Sequence, residues 1–191
     1  EHGEFGSTTG NDIEVGIASG LIWGGTNSAT PTLTLTQSAA ASGVVSAIRI
    51  REDSGTQRTD TWVRSASAQI VSTSTTLSLV YPEHEVGDMF VMFVSTRGTS
   101  DPTLLAPQGW TSLGSYNGGA GTFGADAGNA RTTAYYREAT SRRWGTQAVA
   151  LTSADVAIGQ ILAIHTKNID TWTIDSDGGT DSTVNTAWSV A

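Results

Sequence analysis

The sequence predicts an all-β protein built from tandem antiparallel β-sandwich repeats, and three observations carry that expectation. Short apolar or alternating runs of strand length recur along the 191 residues, separated by turn-forming sequence. Segments of Ala, Leu, Glu and Lys with helical period are nearly absent, while the chain holds 22 Gly and many Ser and Thr. Three blocks of residues also recur in order, as tandem domains require.

Taken in order, the chain opens on a Gly/Ser/Thr-rich stretch over 1–30. Within it Asp12-Ile13-Glu14-Val15-Gly16-Ile17 alternates polar and apolar residues, the mark of a half-buried strand. Pro31-Thr32-Leu33-Thr34-Leu35-Thr36-Gln37 alternates again, with Leu on one face and Thr on the other, and Gly43–Ile50 predicts a further strand. The polar stretch Arg51–Gln57 predicts a linker or long turn. Gly87–Ser95 is the strongest segment. Its unbroken apolar run is too short for a typical helix and predicts a strand buried on both faces. Strand-like runs follow at Pro107–Thr111, Arg131–Arg137 and Gly159–His165. Between the first two, the glycine-rich stretch 115–130 predicts a long surface loop, the usual place for binding residues.

The repeat matches Phe5-Gly6 and Gly10-Asn11 to Phe123-Gly124 and Gly128-Asn129. It matches Leu35-Thr36, Gly43 and Ala47-Ile48 to Leu151-Thr152, Gly159 and Ala163-Ile164. Finally it matches Asp60-Thr61-Trp62 to Asp170-Thr171-Trp172. The implied organisation is a partial repeat over 1–57, a complete repeat over 58–168, and over 169–191 the opening strand region of a third. That last region is expected to complete the first repeat, in its own chain or in a neighbouring subunit, because an unpaired sheet edge is a template for strand addition. Residues 1–57 and 169–191 are both acidic and repel weakly at ordinary salt. The competing expectation is that the missing half lies upstream in a longer polypeptide, in keeping with a chain that begins at Glu1 without Met.

Composition removes several classes of function. A net charge of −8, with the basic residues scattered singly apart from Arg142-Arg143, leaves no patch for a nucleic-acid backbone or an anionic membrane. No apolar run approaches the length that spans a bilayer, so no membrane insertion is expected. The chain has no Cys, hence no disulfide framework and no thiolate metal site.

The order of signals in 75–168 resembles a β-sandwich module of tailed-phage virion proteins and of secreted or surface proteins of bacteria. The residues that carry the resemblance are Thr76-Leu77-Ser78-Leu79-Val80 followed by Pro82, and Gly87-Asp88 opening the long apolar strand. Further matches are Pro107-Gln108-Gly109-Trp110-Thr111, Ala134-Tyr135-Tyr136-Arg137 leading to Ala139-Thr140, and Val149-Ala150-Leu151-Thr152-Ser153 leading to Ile161-Leu162-Ala163-Ile164. The resemblance implies Ig-like or jelly-roll-like sandwiches, used as building blocks of fibres, tails, capsid decorations and adhesins. It carries no catalytic residues. The first repeat lacks the Pro-x-Gly-Trp-Thr block.

Four clusters are candidates for sites. Asp175, Asp177 and Asp181, with Asp170 nearby, alternate around Gly178-Gly179, as oxygen ligands for Ca²⁺ do; calcium is the one cofactor to which the sequence points. The spacing is not that of an EF-hand, and the matching stretch after Trp62 holds no acids, so a solvated turn competes with the metal site. His84 between Glu83 and Glu85, echoed by Glu1-His2-Gly3-Glu4, has the residue types of a Zn²⁺ site or an acid/base pair. Neighbours on an extended chain point to opposite faces, however, which favours a solvated turn there. His165 is read as a strand-terminal polar residue, and no Ser stands in the setting of an activated nucleophile. Tyr135, Tyr136 and Trp144 would form an aromatic platform for a sugar, except that Tyr135 and Tyr136 face opposite ways and at least one belongs to the core. Trp23, Trp62, Trp110, Trp172 and Trp188 fall near strand regions, as core anchors do.

The expectation is therefore a non-enzymatic structural or interaction protein of a phage virion: a capsid decoration, fibre or tail component. Its partners would be copies of itself in a homo-oligomer and other virion proteins. The alternative is a secreted or cell-surface adhesin or carbohydrate-binding module with a host-surface glycan as partner.

Overall fold

The computed structural model describes residues 2–5, 13–16, 33–51, 61–68, 70–97, 106–118, 130–143, 145–151, 156–166 and 172–190; for 2–5, 13–16, 33–51, 61, 71, 97, 116–118, 130, 173 and 175–190 the description is of the backbone. Among the described residues the protein is all-β with antiparallel sheets and contains no helix.

The strands are β1 (His2–Phe5), β2 (Ile13–Gly16), β3 (Leu33–Arg51), β4 (Thr61–Ala66), β5 (Ile70–Ser72), β6 (Thr76–Val80), β7 (Met89–Arg97), β8 (Thr111–Gly118), β9 (Ala130–Glu138), β10 (Thr146–Ala150), β11 (Val156–Thr166) and β12 (Thr173–Val190). One six-stranded sheet dominates, in the order β4-β11-β7-β9-β8, with β5 also paired to β11. β6 and β10 form a second sheet, β1 and β2 a third, and β3 and β12 a long two-stranded ribbon.

β7 and β11 lie at the centre of the large sheet because their sequences suit burial on both faces. Phe90, Met92 and Val94 point into one apolar layer with Ala157, Ile161 and Ala163 of β11 and Tyr135 of β9. β6 and β10 cover that layer with the inward half of their alternation: Leu77, Leu79 and Val149 are fully buried while their sequence neighbours are exposed. Two sheets thus face each other across one core. Gly159 permits the approach, since a Cβ there would lie 2.8 Å from Leu77 Cδ2 and 3.0 Å from the Phe93 carbonyl.

The opposite face of the large sheet is apolar too. Met89, Val91 and Ile164 are buried there, with Val63, Phe93 and Tyr136 around them, and Trp172 and Ile174 pack over them. The start of the C-terminal strand therefore seals the sheet's second face, and the Trp172 indole N–H donates to the Gly87 carbonyl at 3.1 Å.

Buried polar groups explain two irregularities. One edge of β11 is shared by β5 and β4, and Ser67 sits at the junction: its N–H donates to the Ile161 carbonyl at 2.8 Å, and its Oγ accepts from the Ile161 N–H at 3.0 Å. Gln160, 1% exposed, donates to the Ser67 carbonyl at 2.6 Å. On the other side of the core, Gln147 Oε1 accepts from the Trp110 indole at 3.0 Å and the Tyr81 hydroxyl at 2.7 Å, tying the two sheets together. Trp110 is placed by the turn before it: its N–H donates to the Pro107 carbonyl, and Gly109 takes the positive φ of 80° that such a turn requires.

The ribbon departs from expectation. The sequence predicts separate strands at 31–37 and 43–50, whereas β3 is one strand of 19 residues. The stretch holding Asp175, Asp177 and Asp181 belongs to β12 and pairs with Arg49, Ala47 and Gly43 of β3, so its backbone is strand and not turn. Gly178 and Gly179 do not interrupt it, because pairing with β3 supplies the backbone hydrogen bonds that a turn would otherwise supply. The ribbon approaches β8 and β9.

Burial also defines a consequence for Tyr135. Its ring is 1% exposed, and its hydroxyl has no hydrogen-bond partner among the described residues. Desolvation pushes its pKa from 10.0 up to about 12. The unfolded chain loses that proton from pH 10 while the folded chain keeps it to about pH 12. Stability falls across that window by about 1.4 kcal/mol per pH unit from this group. Tyr135→Phe is expected to match or exceed the native stability at pH 7, by up to about 1 kcal/mol, because it removes an unsatisfied hydroxyl. It should also flatten the loss above pH 10, which urea titrations at pH 7, 10 and 11.5 would measure.

Candidate functional site

Among the described residues a group of charged side chains gathers where β4, the 81–88 turn and the end of β11 meet. The turn is built by its sequence. The Asp88 N–H donates to the Glu85 carbonyl at 3.2 Å, and Gly87 between them takes a φ of 92°. The Gly87 and Asp88 backbones then exchange two 2.8 Å hydrogen bonds with Ala139. This fixes Asp88 at the mouth of β7, where it is 1% exposed.

The buried carboxylate gathers its neighbours. Oδ2 accepts the Glu85 N–H at 2.8 Å and lies 3.0 Å from Arg64 Nε, while Oδ1 lies 2.5 Å from His165 Nδ1. Arg64 Nη2 reaches both Glu85 Oε2 at 3.0 Å and His165 Nδ1 at 2.7 Å. A guanidinium only donates and a carboxylate only accepts. His165 Nδ1 therefore serves one of them at a time: protonated, it donates to Asp88; unprotonated, it accepts from Arg64. The Trp62 ring meets the His165 ring edge-on, with centroids 4.8 Å apart, and remains 39% exposed.

His84 sits beside this group in a different role. It is 8% exposed, packed against Phe90 at 4.6 Å between ring centroids, and not part of a solvated turn. Nδ1 lies 2.7 Å from the Pro82 carbonyl, which can only accept, and Nε2 lies 2.9 Å from the Arg143 N–H, which can only donate. Together these two contacts define the neutral tautomer with its proton on Nδ1. The expectation of a solvated turn fails here because the imidazole joins two backbone segments that would otherwise lose partners in an apolar setting. The opposed directions of neighbouring residues hold: Glu85 points out to Arg64 while His84 points in.

Over the His84 ring, between Arg64, Pro82, Glu83 and Glu85 on one side and Arg142 and Arg143 on the other, lies a concavity of about 100 Å³. That is room for a few waters or one carboxylate, and far below the ~300–1,000 Å³ of a typical organic-ligand pocket. No family model, curated protein or solved structure matches the chain.

The other predicted site residues fall elsewhere. Among the described residues no three His, Asp or Glu side chains form a metal-ligand set. Asp175, Asp177 and Asp181 lie on β12, but their side chains, like that of Trp188, are outside the described ones, as are residues Trp23, Trp144 and Asp170. Of the stretch 115–130 expected as a loop, 115–118 belong to β8 and 130 to β9, and 119–129 lie outside the described residues. Tyr135 is core and Tyr136 packs in the second apolar layer, so the two do not share a sugar-binding face. No helix among the described residues is long and apolar enough to cross a membrane.

An imidazole held by a buried carboxylate is the base half of a hydrolytic triad. The described side-chain hydrogen-bond partners of His165 are Asp88 and Arg64, neither of which is a nucleophile. What the arrangement does chemically is join β4, β7, β11 and the 81–88 turn through one carboxylate.

Proposed function

We propose that the chain is a structural and interaction module acting by association, as a component of a phage particle such as a capsid decoration, fibre or tail protein. The observation that carries this reading is the use of the C-terminal segment. Trp172 and Ile174 seal the second face of the large sheet just after its strand β11, and β12 then pairs along β3, which lies before β4 to β11 in the chain. Building by strand and face docking is how sheet modules assemble into larger bodies. The resemblance of 75–168 to virion and surface modules points the same way, as do the large share of hydroxyl and glycine residues and the 15% of charged ones.

One observation favours the second reading, a glycan-binding module. Trp62 is 39% exposed beside Arg64, Glu85 and His165, and an aromatic face next to hydrogen-bonding groups is a sugar platform. The experiment that separates the readings is electron microscopy of the concentrated protein together with a glycan array. Ordered symmetric oligomers without glycan binding support the particle component. A monomer that binds a glycan, and loses it on Trp62→Ala, supports the adhesin.

A further inference from the structure

We infer that β12, led by Trp172, is an exchangeable strand whose second seat is on another copy of this chain. The inference rests on the reading of the protein as a self-associating module and names the surface that would carry the association.

The seat has two parts. One is the apolar face of Met89, Val91 and Ile164 with the Gly87 carbonyl at its rim, which Trp172 and Ile174 cover. The other is β3, with which β12 pairs from Thr173↔Arg51 to Val190↔Leu33. The first part belongs to the sheet of β11, the strand just before β12, whereas β3 lies on the far side of β4 to β11 in the chain. The two strands of the ribbon flank all of β4 to β11, so one ribbon is assembled from segments on either side of a folded domain.

The sequence matches say what kind of strand β12 is. Asp60-Thr61-Trp62 opens β4 and Asp170-Thr171-Trp172 leads into β12, while Ala47-Ile48 of β3 matches Ala163-Ile164 of β11. β4 pairs antiparallel with β11, placing Ser65 opposite Ala163. β12 pairs antiparallel with β3, placing Asp177 opposite Ala47. Carried through the matches, the first pairing would place Asp175 opposite Ala47 and Thr173 opposite Ile48. The two pairings thus agree in direction and differ in register by two residues at Ala47 and three at Ile48, across the bulge in the β4–β11 pairing. β12 thus does for β3 what β4 does for β11, but it reaches β3 from beyond the intervening domain.

A terminal strand paired with a segment as remote in sequence as β3 makes the same contacts whether it arrives from its own chain or from a second copy. Reciprocal exchange of such an element is a low-cost route to a dimer. Only residues 167–171 separate Thr166 from Trp172, and short connections of this kind promote exchange. Mass action sets where exchange appears. A tethered segment competes at an effective concentration on the order of millimolar. Dilute protein therefore closes on itself, and copies exchange strands at millimolar concentration or when packed side by side on a surface.

The absence of Cys makes the test clean. Val44 and Thr180 are register partners. The double variant Val44→Cys/Thr180→Cys, oxidised with glutathione disulfide at micromolar concentration, is expected to close an intrachain disulfide. Equal amounts of the single variants Val44→Cys and Thr180→Cys, mixed near millimolar concentration, are expected to give a covalent heterodimer. Its yield should be at least tenfold above a control pair of Val44→Cys and Ser78→Cys. If the double variant closes and the mixture gives no more than the control, β12 is not exchanged and the inference is overturned; if the double variant does not close, the pairing itself is overturned. Should the first pair fold poorly, Val45→Cys with Gly179→Cys tests the neighbouring register position. Oligomers that form without this cross-link would overturn the inference and leave the self-associating module standing, whereas a monomer without the cross-link removes both.

Discussion

Asp88→Ala is expected to destabilise the protein by about 3 kcal/mol, the low end of the cost of removing one partner from a buried ion pair. The low end applies because Asp88 is 1% exposed while Arg64 and His165 keep 23% and 19% of their side-chain surface in water. The substitution strips Arg64 and His165 of their shared acceptor and leaves the Glu85 N–H without the oxygen that closes the 81–88 turn. Asp88→Asn retains an oxygen for that N–H and is expected to cost less, about 2 kcal/mol, since its one carbonyl oxygen cannot replace both carboxylate oxygens toward Arg64 and His165. Urea denaturation monitored by Trp fluorescence measures both. A loss under 1 kcal/mol for Asp88→Ala would mean that the cluster does not hold the strands together, and would reopen His165 as a functional base.

Trp172→Ala is expected to cost about 3 kcal/mol and to expose the sheet's second face. The lost side chain covers Met89, Val91 and Ile164 and donates to the Gly87 carbonyl, so binding of a hydrophobic dye should rise together with the loss of stability. Trp172→Phe keeps most of the apolar cover and gives up only the indole hydrogen bond, for a loss of about 1 kcal/mol. Native stability and unchanged dye binding in Trp172→Ala would show that the face is sealed without the C-terminal segment.

How much of this was legible in the sequence follows from the physics of each element. β7 was visible because burial on both faces leaves an unbroken apolar run, and the structure places Phe90, Met92 and Val94 in one layer and Met89 and Val91 in the other. The turn before β7 was legible, with Gly87 at the strand entry taking a positive φ. Pro107–Thr111, expected as a strand, is instead a turn in which Gly109 takes a φ of 80° and only Thr111 enters β8, because the alternation of Trp110 and Thr111 with polar neighbours looks locally like a strand. The Asp88 cluster was not legible. Its members come from β4, the 81–88 turn and the end of β11, and a single Arg or His in a strand gives no sign of a partner on another strand. His84 was misread because flanking Glu residues suggested water, while burial was decided by Pro82, Phe90 and the Arg143 backbone. The Asp175–Asp181 stretch was misread as a turn because its glycines and acids signal one locally, and pairing with β3 overrides that signal.

Association through the C-terminal strand is tested most directly by sedimentation equilibrium of the full chain from about 10 μM to about 1 mM. The expected result is a monomer at the dilute end and a dimer growing toward millimolar concentration, with a variant carrying four added Gly/Ser residues between Thr166 and Trp172 shifted toward monomer because the longer connection favours the closed chain. A single monomeric species across the whole range would contradict it.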